Sequence, residues 1–132
     1  MSQNDGKTPT IWRVNGSEFS LDMQDVTVLE RYESAFERMG EAEKALPKDG
    51  RASERIRAYC MMFRNLFDDI FGEGSSVKIF GETNNARVCN EVYEQFLTFV
   101  ESQGEYARAP GRRIAERFGP NRAQRRSNAR KK

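Results

Sequence analysis

Histidine is absent from the 132 residues, and with it go the usual general base and the commonest metal ligand at neutral pH. Cysteine occurs only at Cys60 and Cys89, too sparsely for a disulfide framework. Each falls on or beside an apolar helical stripe, where a free thiol behaves as a small hydrophobe, so both are expected as reduced core residues. Apolar runs are only a few residues long, against the roughly 18 or more that a bilayer-spanning helix needs, so no membrane span is expected. The opening MSQNDGKTPT has no basic start, apolar middle or small-residue cleavage site. Residues 1–9 therefore read as a frayed leader on a protein of the cytoplasm. No GxxxxGK[ST] or GxGxxG spacing occurs, so Gly72, Gly74 and Gly81 read as stops and turns and not as a phosphate loop. Asp68 and Asp69 stand beside each other with Glu73 nearby, but consecutive helical residues point about 100° apart and do not converge as catalytic acids must. They read as surface charge near a helix end. No catalytic residue, cofactor or metal ligand is expected, and the chain reads as a non-enzyme.

What the chain does hold is aromatic: nine Phe, four Tyr and one Trp, a payload that a disordered protein lacks. With 37% hydrophobic and 32% charged residues, one packed core beneath a heavily solvated surface is expected. Two short alternating stretches, residues 10–14 and 17–21, flank Asn15-Gly16, the strongest two-residue hairpin signal. Trp12 and Val14 fall on one face, Ile11 and Arg13 on the other, while Phe19 and Leu21 supply an apolar face on the return strand. An isolated hairpin is marginal in water, so this one must lie on the helices or pair with another copy of the chain.

Three helical stripes follow. Residues 25–46 place Leu29, Tyr32, Phe36, Met39 and Leu46 on one face, with Asp22 or Asp25 as N-cap and Pro47 and Gly50 beyond the end. Residues 53–71 carry the broadest stripe, from Ile56 through Tyr59, Cys60, Phe63, Leu66, Phe67 and Ile70 to Phe71. Ser53 is the expected cap and Gly72 the stop. The link over residues 74–81 holds a single helical turn capped by Ser75 or Ser76. A third long helix opens at Asn84 or Asn85 and lines up Val88, Val92, Phe96 and Phe99 or Val100, widened by Cys89, Tyr93 and Leu97. The fold class is thus mainly α: an N-terminal β-hairpin packed on a small three-helix bundle over residues 10–107, then a basic, partly helical C-terminal tail over residues 108–132.

The net charge of +2 hides a strong polarity. Residues 108–132 hold ten Arg and Lys against Glu116 alone, leaving twelve basic and nineteen acidic residues before them. The tail therefore carries +9 and the body −7, a separation that bears on partners and association. In the tail, residues 112–118 suit two helical turns, and Asn121 suits the cap of a short helix. That helix gathers Arg122, Arg125, Arg126 and Arg130 near one face, where their guanidinium forks suit phosphate or carboxylate. These four arginines are the candidate partner-binding residues, for an acidic protein groove or for RNA. A solubilising tail is the plainer alternative, and no aromatic residue follows Phe118 to stack a base. The glutamates of the first helix, Glu30, Glu33, Glu37, Glu41 and Glu43, read as a solvated face, and a clamp between them and the tail would be released by salt.

Several stretches together resemble the tail-assembly-chaperone-like proteins of tailed bacteriophages and prophages. They are the hairpin around residues 14–19, the acidic helix with YESAFE at residues 32–37, the run LFDDIFGEG at residues 66–74 with Ile79-Phe80-Gly81, the third helix, and the ending PNRAQRR at residues 120–126. The resemblance implies a non-enzymatic protein of the bacterial host cytoplasm. Its partner would be a tail structural protein, the tape-measure or tail-tube protein, kept soluble during virion assembly, with self-association and adaptable contacts from Met61 and Met62 compatible with that role. An RNA-binding regulator acting through the arginine-rich tail is the alternative.

Overall fold

The structure, a computed structural model, describes residues 10–104. The leader of residues 1–9 and the tail of residues 108–132, with its two helical pieces and its four arginines, lie outside the described residues. Strands β1 (Ile11–Val14) and β2 (Ser17–Ser20) are followed by helices α1 (Val26–Lys44), α2 (Ala52–Phe71), α3 (Ser75–Phe80) and α4 (Ala86–Glu101). The described chain is mainly helical with an N-terminal antiparallel hairpin, in accord with the sequence.

The hairpin closes where positive φ is available, with Asn15 at 53° and Gly16 at 78°, as a two-residue turn matching strand twist requires. Ile11 faces Ser20, Trp12 faces Phe19, Arg13 faces Glu18 and Val14 faces Ser17. Leu21 N–H donates to Thr10 O at 2.8 Å, extending the ladder by one bond. Trp12 and Val14 are buried while Ile11 and Arg13 face solvent. The hairpin therefore lies on the helices. Trp12 stacks on Phe67 at 5.7 Å and Phe71 at 6.0 Å between centroids and meets the edge of Phe96 at 5.2 Å. A second tie comes from the turn, where Asn15 Nδ2 donates to Ile79 O.

Helix α2 is central. Its Cys60, Phe63, Leu66, Phe67 and Ile70 are all at most 1% exposed, covered by α1, by α4 and by the hairpin. Phe63 packs on Tyr93 at 5.0 Å and Phe67 meets Phe96 edge-on at 5.1 Å. Cys60 and Cys89 are buried and free. Behind the hairpin, Gln103 forms a two-point clasp: Met23 N–H donates to its Oε1 and its Nε2 donates to Leu21 O, both at 2.8 Å. This buried amide ties the exit of α4 to the entry of α1, satisfying backbone groups that water cannot reach.

The caps divide into those that follow the sequence and those that do not. Asp25 caps α1 through Thr27 N–H and Val28 N–H, and Asn85 caps α4 through Arg87 N–H and Val88 N–H. Asp22 instead accepts from Gln24 N–H at 3.0 Å in the preceding turn. Helix α1 ends at Lys44, ahead of the expected Leu46, because the residue before Pro47 is pushed out of helical φ/ψ. Ser53 is not the cap of α2. The helix starts at Ala52, with Arg51 N–H donating to Glu54 Oε1 at 3.4 Å, so the side chain reaching back from the third position serves as the serine was expected to. Neither Ser75 nor Ser76 caps α3. Gly74 occupies the cap position at φ 92°, and the free Ser76 N–H donates across to Asp68 Oδ1 at 2.8 Å. Asp68 is thus a cap supplied by a neighbouring helix and not plain surface charge. Both Phe99 and Val100 join the core, Phe99 partly and Val100 fully.

Trp12 joins strand, α2 and α4, so Trp12→Ala is expected to cost about 3–5 kcal/mol in a urea titration, in the range of large aromatic truncations. Asp68→Ala removes one cap and is expected to cost about 0.5–2 kcal/mol.

Candidate interaction surface

The described residues present buried polar devices, a cleft and an open end. Arg64 is only 8% exposed. Its Nε donates to Asn84 Oδ1 at 2.9 Å, and its Nη2 donates to Gly81 O at 2.7 Å and Thr83 O at 3.0 Å. The guanidinium also lies over Phe80, 5.5 Å from the ring centroid. Among the described residues its charge is met by carbonyl dipoles past the C-terminal end of α3 and not by a carboxylate, a favourable place for a cation. Arg64 therefore pins the α3–α4 connection to α2. Nothing in the spacing of the sequence marks it, because its partners lie 17 to 20 residues away.

Two buried groups hold their protons tightly. Tyr32 is pushed well above the usual phenol range, first by burial and then by Glu101 and Glu33. Cys89 is pushed up to about 12 from 9.0 by burial, then by its Cys60 neighbour and their side-chain hydrogen bond. A thiol so protonated is a poor nucleophile. Both groups belong to the core, with Cys60 and Cys89 stitching α2 to α4.

Asp68 and Asp69 go separate ways, the first to α3 and the second to an ion pair with Arg38 on α1 at 3.0 Å. That pair rims a shallow cleft of about 280 Å³ between α1 and α2, whose floor is formed by Ala35, Met39, Ala42, Met62 and Leu66. On the outer face of α1, turned away from this cleft, Glu30, Glu33, Glu37 and Glu41 are exposed at helical spacing. Glu43 is half-buried.

The third feature is the far end of the α1–α2 helical pair. Cys60 meets Cys89, and Tyr59 Oη donates to Asn90 Oδ1, so α4 begins beside the second turn of α2 and leaves the first uncovered. Residues 52–57 are all exposed. Ile56, expected in the core stripe, is 44% exposed: it continues the Cys60–Phe63–Phe67 face beyond the point where α4 starts. Leu46, Tyr59 and Val88 are partly buried, and Lys48, Arg51, Arg55 and Arg57, with Asp49 and Glu54 among them, add an exposed fringe that is basic on balance. Met61 is 42% exposed, whereas Met62 is buried. The candidate residues Arg122, Arg125, Arg126 and Arg130 lie outside the described residues. No helix among the described residues is long and apolar enough to cross a membrane.

Residues 15–129 match the model of a family described as a family of unknown function (DUF6673). No curated protein and no solved structure matches the chain.

The raised thiol has a consequence for alkaline stability. The folded state keeps the Cys89 proton to a higher pH than the unfolded chain does, so this contribution is intact below pH 9.0 and is lost as pH rises toward about 12. Tyr32 acts in the same direction. Urea unfolding followed across that window is expected to show falling stability, with a shallower fall in Cys89→Ala. Both thiols are expected to resist alkylation at neutral pH until denaturant is added.

Proposed function

The chain belongs to the family of unknown function DUF6673; from its open helical end and its sequence resemblance we propose that it is a non-enzymatic phage tail assembly chaperone-like protein. It acts in the bacterial host cytoplasm and binds a tail structural protein, the tape-measure or tube protein, while the virion is built. The observation that carries this reading is the open end of the α1–α2 pair. There the apolar face of α2 runs out from under α4 at Ile56, 44% exposed, between half-buried Leu46 and Val88 and a basic fringe.

Such an end accepts the apolar face of an amphipathic client helix, which continues the covering that α4 provides deeper in the molecule. The basic fringe favours a client with acidic flanks and raises the rate of encounter. Long helical structural proteins expose apolar stripes until they assemble, and covering such a stripe keeps them soluble. The resemblance in residues 66–74 and in the hairpin supports the same reading. The chaperone reading does not draw on the broad α2 face as a whole, since α1, α4 and the hairpin cover most of it.

A second reading rests on the +9 tail, whose Arg122, Arg125, Arg126 and Arg130 suit RNA phosphates. The two are separated by which part of the chain binding needs. Ile56→Asp in the full chain is expected to weaken binding to a tape-measure fragment about tenfold or more, as loss of one apolar anchor does. Stability should stay within about 0.5 kcal/mol, since the side chain is open to solvent. Unchanged client affinity in Ile56→Asp overturns the proposed surface. Tight, salt-sensitive RNA binding lost on replacing the four arginines moves the function to the tail.

A further inference from the structure

We propose that Cys60 and Cys89 form a redox-sensitive staple, a thiol pair that a low-molecular-weight disulfide converts to a buried disulfide joining α2 to α4. The chain has two cysteines, and the fold brings them together. Both are buried and free, and their side chains share a hydrogen bond. The contact follows from how the two helices lie. Tyr59 meets Asn90, Phe63 packs on Tyr93 and Phe67 on Phe96. The partner on α4 advances as the residue on α2 does, so the helices run parallel, and Cys60 and Cys89 fall at one level. Sulfurs that share a hydrogen bond have converging side chains, the arrangement that a disulfide requires.

The step is a thiol–disulfide exchange. The thiolate of one cysteine attacks a sulfur of glutathione disulfide, forming a mixed disulfide and releasing one glutathione thiolate. The second cysteine attacks the protein sulfur of that mixed disulfide, forming the Cys60–Cys89 bond and expelling the other glutathione thiolate. The two protons lost by the cysteines go to the two glutathiones. The thiol pair thus loses two electrons, and glutathione disulfide gains them. Burial and the tightly held Cys89 proton make the folded pair a poor nucleophile, so exchange runs through the small opened fraction of chains. The staple is therefore slow to set and, once closed inside the core, slow to undo.

The bond closes residues 61–88, with α3 and the connection that Arg64 holds, into a covalent loop. That loop restricts the unfolded chain and so favours the fold. It also fixes the level at which α4 begins to cover α2. The inference stands apart from client binding at Ile56, and either holds if the other fails.

The test uses the full chain in glutathione buffers of graded thiol and disulfide content, carried to equilibrium so that slow access does not enter. The oxidised fraction gives the effective concentration of the thiol pair, measured in native buffer and in concentrated urea. The native value is expected to exceed the value in urea by about 30-fold or more, the factor given by the lower end of what native disulfides contribute. The urea midpoint of the oxidised chain is expected to lie above that of the reduced chain and to return on reduction. A native value at or below the value in urea overturns the proposal, because the fold then opposes the bond. So does a peptide map that shows mixed glutathione disulfides, or links between chains, in place of the Cys60–Cys89 bond.

Discussion

The apolar face of α2 is wider than any single neighbour can cover, and the rest of the fold is arranged around closing it. Helix α1 takes one flank, α4 runs along another, and the remaining strip, at Phe67 and Phe71, is left for the hairpin. Trp12 is the piece that fits there, stacked on both rings while meeting the edge of Phe96. A two-stranded hairpin has no stability of its own in water; here it gains an aromatic bed, and α2 gains the cover it lacks. The Gln103 clasp and the Asn15 bond to Ile79 then fix the hairpin from its two ends. The same geometry leaves one end of α2 bare, because α4 meets α2 at Tyr59 and Cys60 and leaves Ile56 open.

Elements whose cause is local are legible in the sequence. Asn15-Gly16 sets a turn because both residues tolerate positive φ; Asp25 and Asn85 cap because the backbone N–H groups they serve are two and three residues away; the helical stripes follow from spacing alone. What is not legible has a cause elsewhere in the chain. Asp68 caps a helix that begins seven residues later, in place of Ser75 or Ser76, because α3 folds back against α2. Arg64 reads as a polar interruption of the α2 stripe until the α3–α4 connection wraps its carbonyls around it. Ile56 sits at the right angle for burial, and only the starting level of α4 leaves it open. The candidate site was therefore legible in its chemistry, apolar helix faces and segregated charge, but not in its location.

Charge adds a second layer. Acidic residues gather on the outer face of α1 and basic residues at the α1–α2 tip, while the strongest positive run of the sequence follows the described body. This arrangement suits an apolar client with acidic flanks at the tip. The tip leaves the core undisturbed, where burial keeps Tyr32 and Cys89 neutral.

The account's central claim is a closed aromatic core with one uncovered end, and native-state hydrogen exchange of the full chain tests it most directly. Amides of β1, of residues 60–71 and of α4 are predicted to exchange only through global unfolding, at a common free energy, while those of residues 45–57 open far more readily. Early exchange in β1 would contradict the role given to Trp12, and protection of residues 45–57 equal to the core would show that the end is not open.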